Sequence, residues 1–152
     1  MKLIEIKRQL SEYPLYNQYN MNETALFYKM PSDSTIAWNT VEGNKKDKTH
    51  ITIALTCNAK STDWFELIFI RYTKRSCSFN KKTSEELGFF YYYNKRAWMT
   101  KVLFQEYLKR FNRHISHPVI LVIDNTTSHV WENLQRRNIK VISLPPNTIL
   151  KL

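Results

Sequence analysis

Glycine and cysteine are both scarce in this chain of 152 residues, with two of each. Cys57 and Cys77 form no CxxC pair and are too few for a disulfide framework. A disulfide-stapled domain is therefore excluded, and a reducing interior, cytosol or nucleus, fits better. No stretch approaches the ~20 apolar residues needed to span a bilayer. The amino terminus, Met1–Lys7, carries Glu5 inside its only apolar run, so no signal peptide and no membrane partner are expected. Internal repeats, low-complexity segments and inter-domain linkers are missing as well.

What remains is a chain of one-domain length with enough apolar residues (43%) to bury a proper core, so disorder is excluded. Its 23 Lys and Arg against 13 Asp and Glu give a net charge of +10. That sign favours an anionic partner such as nucleic acid. The competing reading is compositional, since abundant Lys, Asn, Ile and Tyr with little Gly is also what AT-rich coding DNA produces.

Leu3, Ile6 and Leu10 fall at helical spacing over residues 2–12, and Pro14 stops that helix. A strand is expected from Leu15 to Tyr28, then a polar turn over 39–49. Ile51–Asn58 alternates apolar and polar residues, and Trp64–Ile70 follows after a short linker, as in a hairpin. Residues 71–96 are basic, Tyr-rich and without periodicity. Thr100 is placed to cap a helix running to about Arg113. Leu103, Phe104, Tyr107, Leu108 and Phe111 form its apolar stripe, and Lys101, Gln105, Lys109 and Arg113 its polar one. Trp98 and Met99 are expected to pack the helix start into the core. A short helix over Val130–Asn138 and a last strand over Lys140–Leu144 complete an α/β order, a mixed sheet with helices packed on it, compatible with a ribonuclease H-like architecture.

The most informative stretch is Pro118–His129, PVILVIDNTTSH. Its aliphatic run reads as a buried strand, with Pro118 tolerable at the first position. Asp124 stands at the carboxyl end, where open α/β sheets place their chemistry. Taken alone, Asp124 is equally well an Asx-turn residue capping a strand-to-helix loop. His129 reads as a structural or solvent-facing residue, with orientation of Asp124 or of a phosphate the sharper alternative. His114 and His117 have no Cys or carboxylate beside them in sequence, so a zinc site there is not expected.

Four segments together resemble a known family. Tyr19–Met30, YNMNETALFYKM, is similar to the "YNxDETxLFYK" signature of DDE superfamily endonucleases, the pogo/Tigger transposases and their centromere-protein-B-like relatives. Lys95–Thr100, KRAWMT, running into Leu103-Phe104 and Tyr107-Leu108, resembles "KAWMT…LFxxWL". Val122–His129 resembles "LLDNxxSH", and Val141–Thr148 resembles "VxFLPPNTT". All four occur in family order and cover nearly the whole chain from about residue 16.

The resemblance implies a ribonuclease H-like fold, a nuclear location, and carboxylates holding two Mg²⁺ or Mn²⁺ ions for strand cleavage and transfer. Such a pair stabilises the charge that builds on the attacking and leaving oxygens, and hard oxygen ligands are needed to hold it. The family's first Asp falls at Asn22, whose amide offers a neutral oxygen and no charge. The second is Asp124. The third lies in a "QPxDxG" segment beyond Pro145–Thr148, and the sequence stops at Leu152 before reaching it. With one metal carboxylate of three, catalysis and tight metal binding are not expected. Rescue by Glu23 is disfavoured because neighbouring side chains of a strand point to opposite faces. Residues 1–14 read as the remnant of a preceding helix, and 15–152 as a truncated endonuclease-like domain with part of one sheet face left apolar and exposed.

Three functions compete at this stage. The first is a catalytically silent domain that binds DNA nonspecifically through its backbone, using Lys101, Lys109 and Arg113 on the helix and Lys81 and Lys82 in the basic run beside Phe79. For each of these a solvated surface is the plainer alternative. The second is an active metal-dependent endonuclease completed by another chain. The third is a domesticated module that binds a protein partner through the aromatic surface at Tyr91–Tyr93. No helix-turn-helix is visible, so sequence-specific recognition is not expected.

Overall fold

The computed structural model describes residues 2–30, 47–74, 79, 82–131 and 137–146. Helix α1 (Lys2–Ser11) is followed by a single 3₁₀ turn and strand β1 (Gln18–Leu26). Strands β2 (Ile51–Asn58), β3 (Trp64–Arg71) and β4 (Phe90–Tyr93) come next. Helix α2 (Lys101–His114), β5 (Val119–Ile123) and β6 (Ile139–Ser143) complete the described elements. They form a six-stranded mixed sheet in the order β4-β3-β2-β1-β5-β6. Strand β2 is antiparallel to β1 and β3, whereas β1, β5 and β6 are mutually parallel and β4 runs parallel to β3. One edge of the sheet therefore collects the carboxyl ends of every strand but β2, together with the start of β2.

The strand patterns dictate the layers. Every residue of β5 is buried, so both of its faces need cover. Val119, Leu121 and Ile123 pack with Tyr19, Met21 and the α2 stripe in the main core. Ile120 and Val122 pack on the other side with Ile6 and Leu10 of α1 and with Leu144. Gln18 ties α1 down, its amide donating to the carbonyls of Leu10 (3.0 Å) and Tyr13 (2.7 Å). Helix α1 reaches only this part of the sheet. Along β1, β2 and β3 the same face leaves Leu26 (53%), Leu55 (39%) and Leu67 (37%) open.

Helix α2 starts where expected. Thr100 sits in extended backbone and its hydroxyl accepts from the Leu103 amide at 3.3 Å. Phe104, Tyr107, Leu108 and Phe111 are buried against the sheet. Tyr107 and Phe111 stack at 5.9 Å, and Tyr19 meets Phe111 edge-on at 5.3 Å. The Tyr107 hydroxyl shares a hydrogen bond with Thr56 at 3.0 Å, and its complete burial pushes the phenol's pKa well up. Tyr19 is raised too, first by burial and then by the bond its hydroxyl donates to Asp63.

Three expectations need correction. Strand β4 falls within a stretch that showed no periodicity. Its four aromatics are half-buried or exposed along an edge, so no alternation marks them. Met99 is buried as expected, but Trp98 is 45% exposed and its ring meets that of His50 at a tilt, 4.3 Å between centroids, instead of entering the core. The supposed aromatic surface at Tyr91–Tyr93 is mostly consumed by packing. The Tyr91 hydroxyl donates to the Thr73 carbonyl at 2.7 Å, and the Arg110 guanidinium sits over Phe90 at 4.2 Å and near Tyr92 at 6.0 Å. Only Tyr93, at 53%, stays open. The polar turn at 39–49 and the helix at 130–138 lie largely outside the described residues.

Losing the Thr100 cap should cost about 1 kcal/mol and losing the Phe111 ring about 3–5 kcal/mol. Urea unfolding of Thr100→Ala and Phe111→Ala checks both; equal small losses would mean that α2 is not packed on the sheet as described.

Candidate functional site

Asp124 follows β5 directly at the collecting edge of the sheet and is exposed. Its backbone is fixed by the loop that follows. The Asp124 carbonyl accepts from the Thr126 amide at 3.0 Å, and the His129 amide donates to the Thr126 carbonyl at 3.1 Å. A cavity of about 230 Å³ opens here, walled by Asp124, Asn125, Thr126, His129, Trp131 and Ser143.

Asn22 belongs beside it. The parallel register pairs Asn20 with Val122 and Met21 with Ile123. Continued by one residue, it sets Asn22 next to Asp124, about 5 Å away across the sheet. That continuation sets the two positions that the resemblance singles out at one level on neighbouring chain segments. Asn22 is exposed, and its side-chain oxygen accepts from the neighbouring Glu23 amide at 2.9 Å.

Glu23 points the other way. The β1–β2 pairing runs without a bulge through Asn22 and Glu23, so the two side chains take opposite faces. Glu23 Oε1 meets His129 Nε2 at 2.7 Å. His129 is 6% exposed, stacks on Phe104 at 4.4 Å, and donates from Nδ1 to the Asp124 carbonyl at 2.8 Å. A carbonyl only accepts, so Nδ1 carries a proton. His129 therefore clamps the end of β5 to β1 through main chain on one side and a carboxylate on the other. Sequence reading missed this partnership across 106 residues. The alternation of β1, which puts Glu23 on the same face as Met21, was the available signal.

A metal pair finds no fitting donor set in this arrangement. Asp124 offers one exposed carboxylate and Asn22 one amide, Glu23 is engaged by His129, and among the described residues no group of three or more His, Cys, Asp or Glu could hold an ion. His114, at the opposite end of α2, has one carboxylate near it, Asp63 at 3.5 Å.

The basic candidates separate in space. Lys101 is exposed on the first residue of α2, at the same edge as Asp124. Lys109 and Arg113 are also exposed, but about 12 and 18 Å further along the helix axis. Lys82 is exposed beyond β3, and Phe79 beside it packs edge-on against Tyr91 at 4.9 Å, so that ring is not free to stack on a base. Lys81 lies outside the described residues.

Removing the Glu23 carboxylate should cost about 1–3 kcal/mol by leaving buried His129 short of a partner. Asp124, whose side chain holds no partner among the described residues, should tolerate Asp124→Ala within about 0.5 kcal/mol. Urea titrations of Glu23→Ala and Asp124→Ala compare the two; an equal loss in both would make Asp124 structural.

Comparison with known proteins adds the ancestry. The DDE superfamily endonuclease family matches residues 48–152. CENP-B homolog protein 2 of Schizosaccharomyces pombe is 27% identical over 96% of this chain and 30% of its own length. ARS-binding protein 1 of the same yeast is 31% identical over 84% of the chain and 26% of its own. Tigger transposable element-derived protein 4 of Mus musculus is 27% identical over 89% and 26%. The chain thus spans under a third of the length of these curated relatives. No solved structure matches. With its six-stranded mixed sheet and two flanking helices consistent with such a domain, the chain belongs to the DDE superfamily endonuclease family.

Proposed function

We propose that this domain is a transposon-derived nucleic-acid-binding domain that holds DNA through its backbone, without base-specific readout and without cutting it, in the nucleus. The reading is supported by the neutral amide of Asn22, which the β1–β5 register, continued by one residue past Met21 and Ile123, sets level with Asp124. Two divalent ions brought to a phosphodiester need several anionic oxygens to hold them. Here one carboxylate is free for that work, and the adjacent one serves His129.

Binding is supported by the charge of +10 and by exposed Lys101 at the edge where Asp124 stands. Kinship points the same way, since one relative is by its name an ARS-binding protein and another is a homolog of CENP-B. Phosphate contacts release counterions, so affinity falls steeply with salt and depends little on base sequence.

The test is a supercoiled plasmid incubated with Mg²⁺ or with Mn²⁺. The parent protein should retard the plasmid without nicking it, and the retardation should weaken by at least ~10-fold between 50 and 200 mM salt. Nicking that disappears in Asp124→Ala would overturn the silent-domain reading, and a salt-independent affinity would overturn the binding reading.

A further inference from the structure

Three segments converge on a second cavity at the collecting edge. Lys48 and His50 lead into β2, Tyr72 follows β3, and Lys95, Arg96 and Ala97 follow β4. These residues wall a cavity of about 350 Å³ that has no acidic side chain in its lining. Lys48, Lys95 and Arg96 are exposed, and among the described residues none of them forms an ion pair. Asp47, the nearest acid in sequence, is engaged instead by the amide (2.8 Å) and hydroxyl of Thr49. Arg71 adds positive charge beside the wall, its guanidinium over Tyr28 at 5.2 Å and Tyr72 at 5.5 Å.

The cluster is held in place by its own backbone. Asn94 accepts from the Arg96 amide at 3.0 Å and donates to the Trp98 carbonyl at 2.7 Å. The turn drives Ala97 to φ 54, a left-handed conformation that is costly for a non-glycine residue, yet Ala97 is buried. Strain of this kind persists where surrounding structure over-determines it, and such positions gather at binding sites.

His50 supplies the second, independent sign. It is 8% exposed, and its Nδ1 bonds the Lys48 carbonyl at 3.0 Å. Its Nε2 is buried with no partner among the described residues, although nearly all buried polar atoms in folded proteins have one. The ring lies between Phe27 at 5.4 Å and half-exposed Trp98 at 4.3 Å. A site combining three cations and an imidazole nitrogen that lack partners among the described residues with a half-exposed indole suits one kind of ligand, a phosphate joined to a stackable base.

We propose that this cavity is a phosphodiester subsite, with Lys48, Lys95, Arg96 and His50 around one backbone phosphate of a nucleic-acid strand and Trp98 stacked on an adjoining base. This rests on the nucleic-acid reading above and gives it a location. From the end of β3 to the end of β5 is three strand spacings, about 14 Å. A strand seated here reaches Asp124 within roughly four nucleotides at duplex rise.

The experiment is anisotropy of a labelled 12-nucleotide oligothymidylate across a salt series. It compares the parent with Lys95→Gln/Arg96→Gln, Lys48→Gln, Trp98→Leu and Lys109→Gln/Arg113→Gln, each checked for fold by circular dichroism. The Lys95/Arg96 pair should weaken binding at least ~10-fold and flatten the log–log salt slope by about 1.4, the share of two single-strand contacts. Trp98→Leu should weaken binding ~5- to 100-fold at an unchanged slope, and the Lys109/Arg113 pair should do less than either. Parent-like binding by the Lys95/Arg96 and Trp98 variants would overturn the subsite while leaving nucleic-acid binding intact. A parent that binds no oligonucleotide would sink the broader reading with it. In parallel NMR titrations, His50 ring signals that move with inorganic phosphate but not with the oligonucleotide would make the cavity a free-anion site and remove the strand from it.

Discussion

Burial of β5 on both faces is the constraint from which the arrangement follows. Val119–Ile123 offers no polar side chain to solvent, so it can exist only with a layer above and a layer below. Helix α2 supplies one layer and α1 the other, while β1 and β6 complete its hydrogen bonds as parallel neighbours. Asp124 is the first residue that escapes this enclosure. Its position comes from the hydrophobic effect acting on the five residues before it, and the Leu144 amide, donating to the Ile123 carbonyl at 2.9 Å, fixes the same end from β6.

Around that end the polar groups divide into two kinds. Buried His129 works through hydrogen bonds to main chain and to Glu23 and holds two strands together. Exposed Asp124 and Asn22 hold no other element through their side chains. The direction of β2 matters equally. Because it alone runs opposite to its neighbours, its entry segment, and not its exit, contributes Lys48 and His50 to the edge where the other strands end. Cations and the carboxylate thereby share one rim without touching.

Much of the scaffold was legible in the residues. The limits of β2 follow from its alternation, although the face buried is that of Thr52, Ala54, Thr56 and Asn58 and not the more apolar one. Those of β5 follow from an unbroken aliphatic run, and those of α2 from a capping Thr100 ahead of a helical stripe. Local rules of period and capping suffice there. They fail for β4, where four aromatics in a row on a parallel edge carry no period and pairing with β3 alone makes the strand. They fail for Trp98 too. Hydrophobicity sends an indole inward, but the turn at Asn94–Ala97 fixes the chain direction first and leaves the ring against His50. At the site, sequence marked Asn22 and Asp124, while their adjacency needed the β1–β5 register. The Glu23–His129 contact and the convergence of Lys48 with Lys95 and Arg96 join distant segments and have no local signature.

The clamp and the free carboxylate meet different fates as the gene drifts. A substitution at Glu23 leaves buried His129 without its carboxylate, and one at His129 leaves the half-buried Glu23 without its partner, so the two positions are tied to each other. Position 124 carries no such debt through its side chain. Under selection for a folded protein alone, the acid at the end of β5 is free to wander while the pair behind it stays, and a lineage that keeps Asp124 over long times reveals a demand made by something outside the fold.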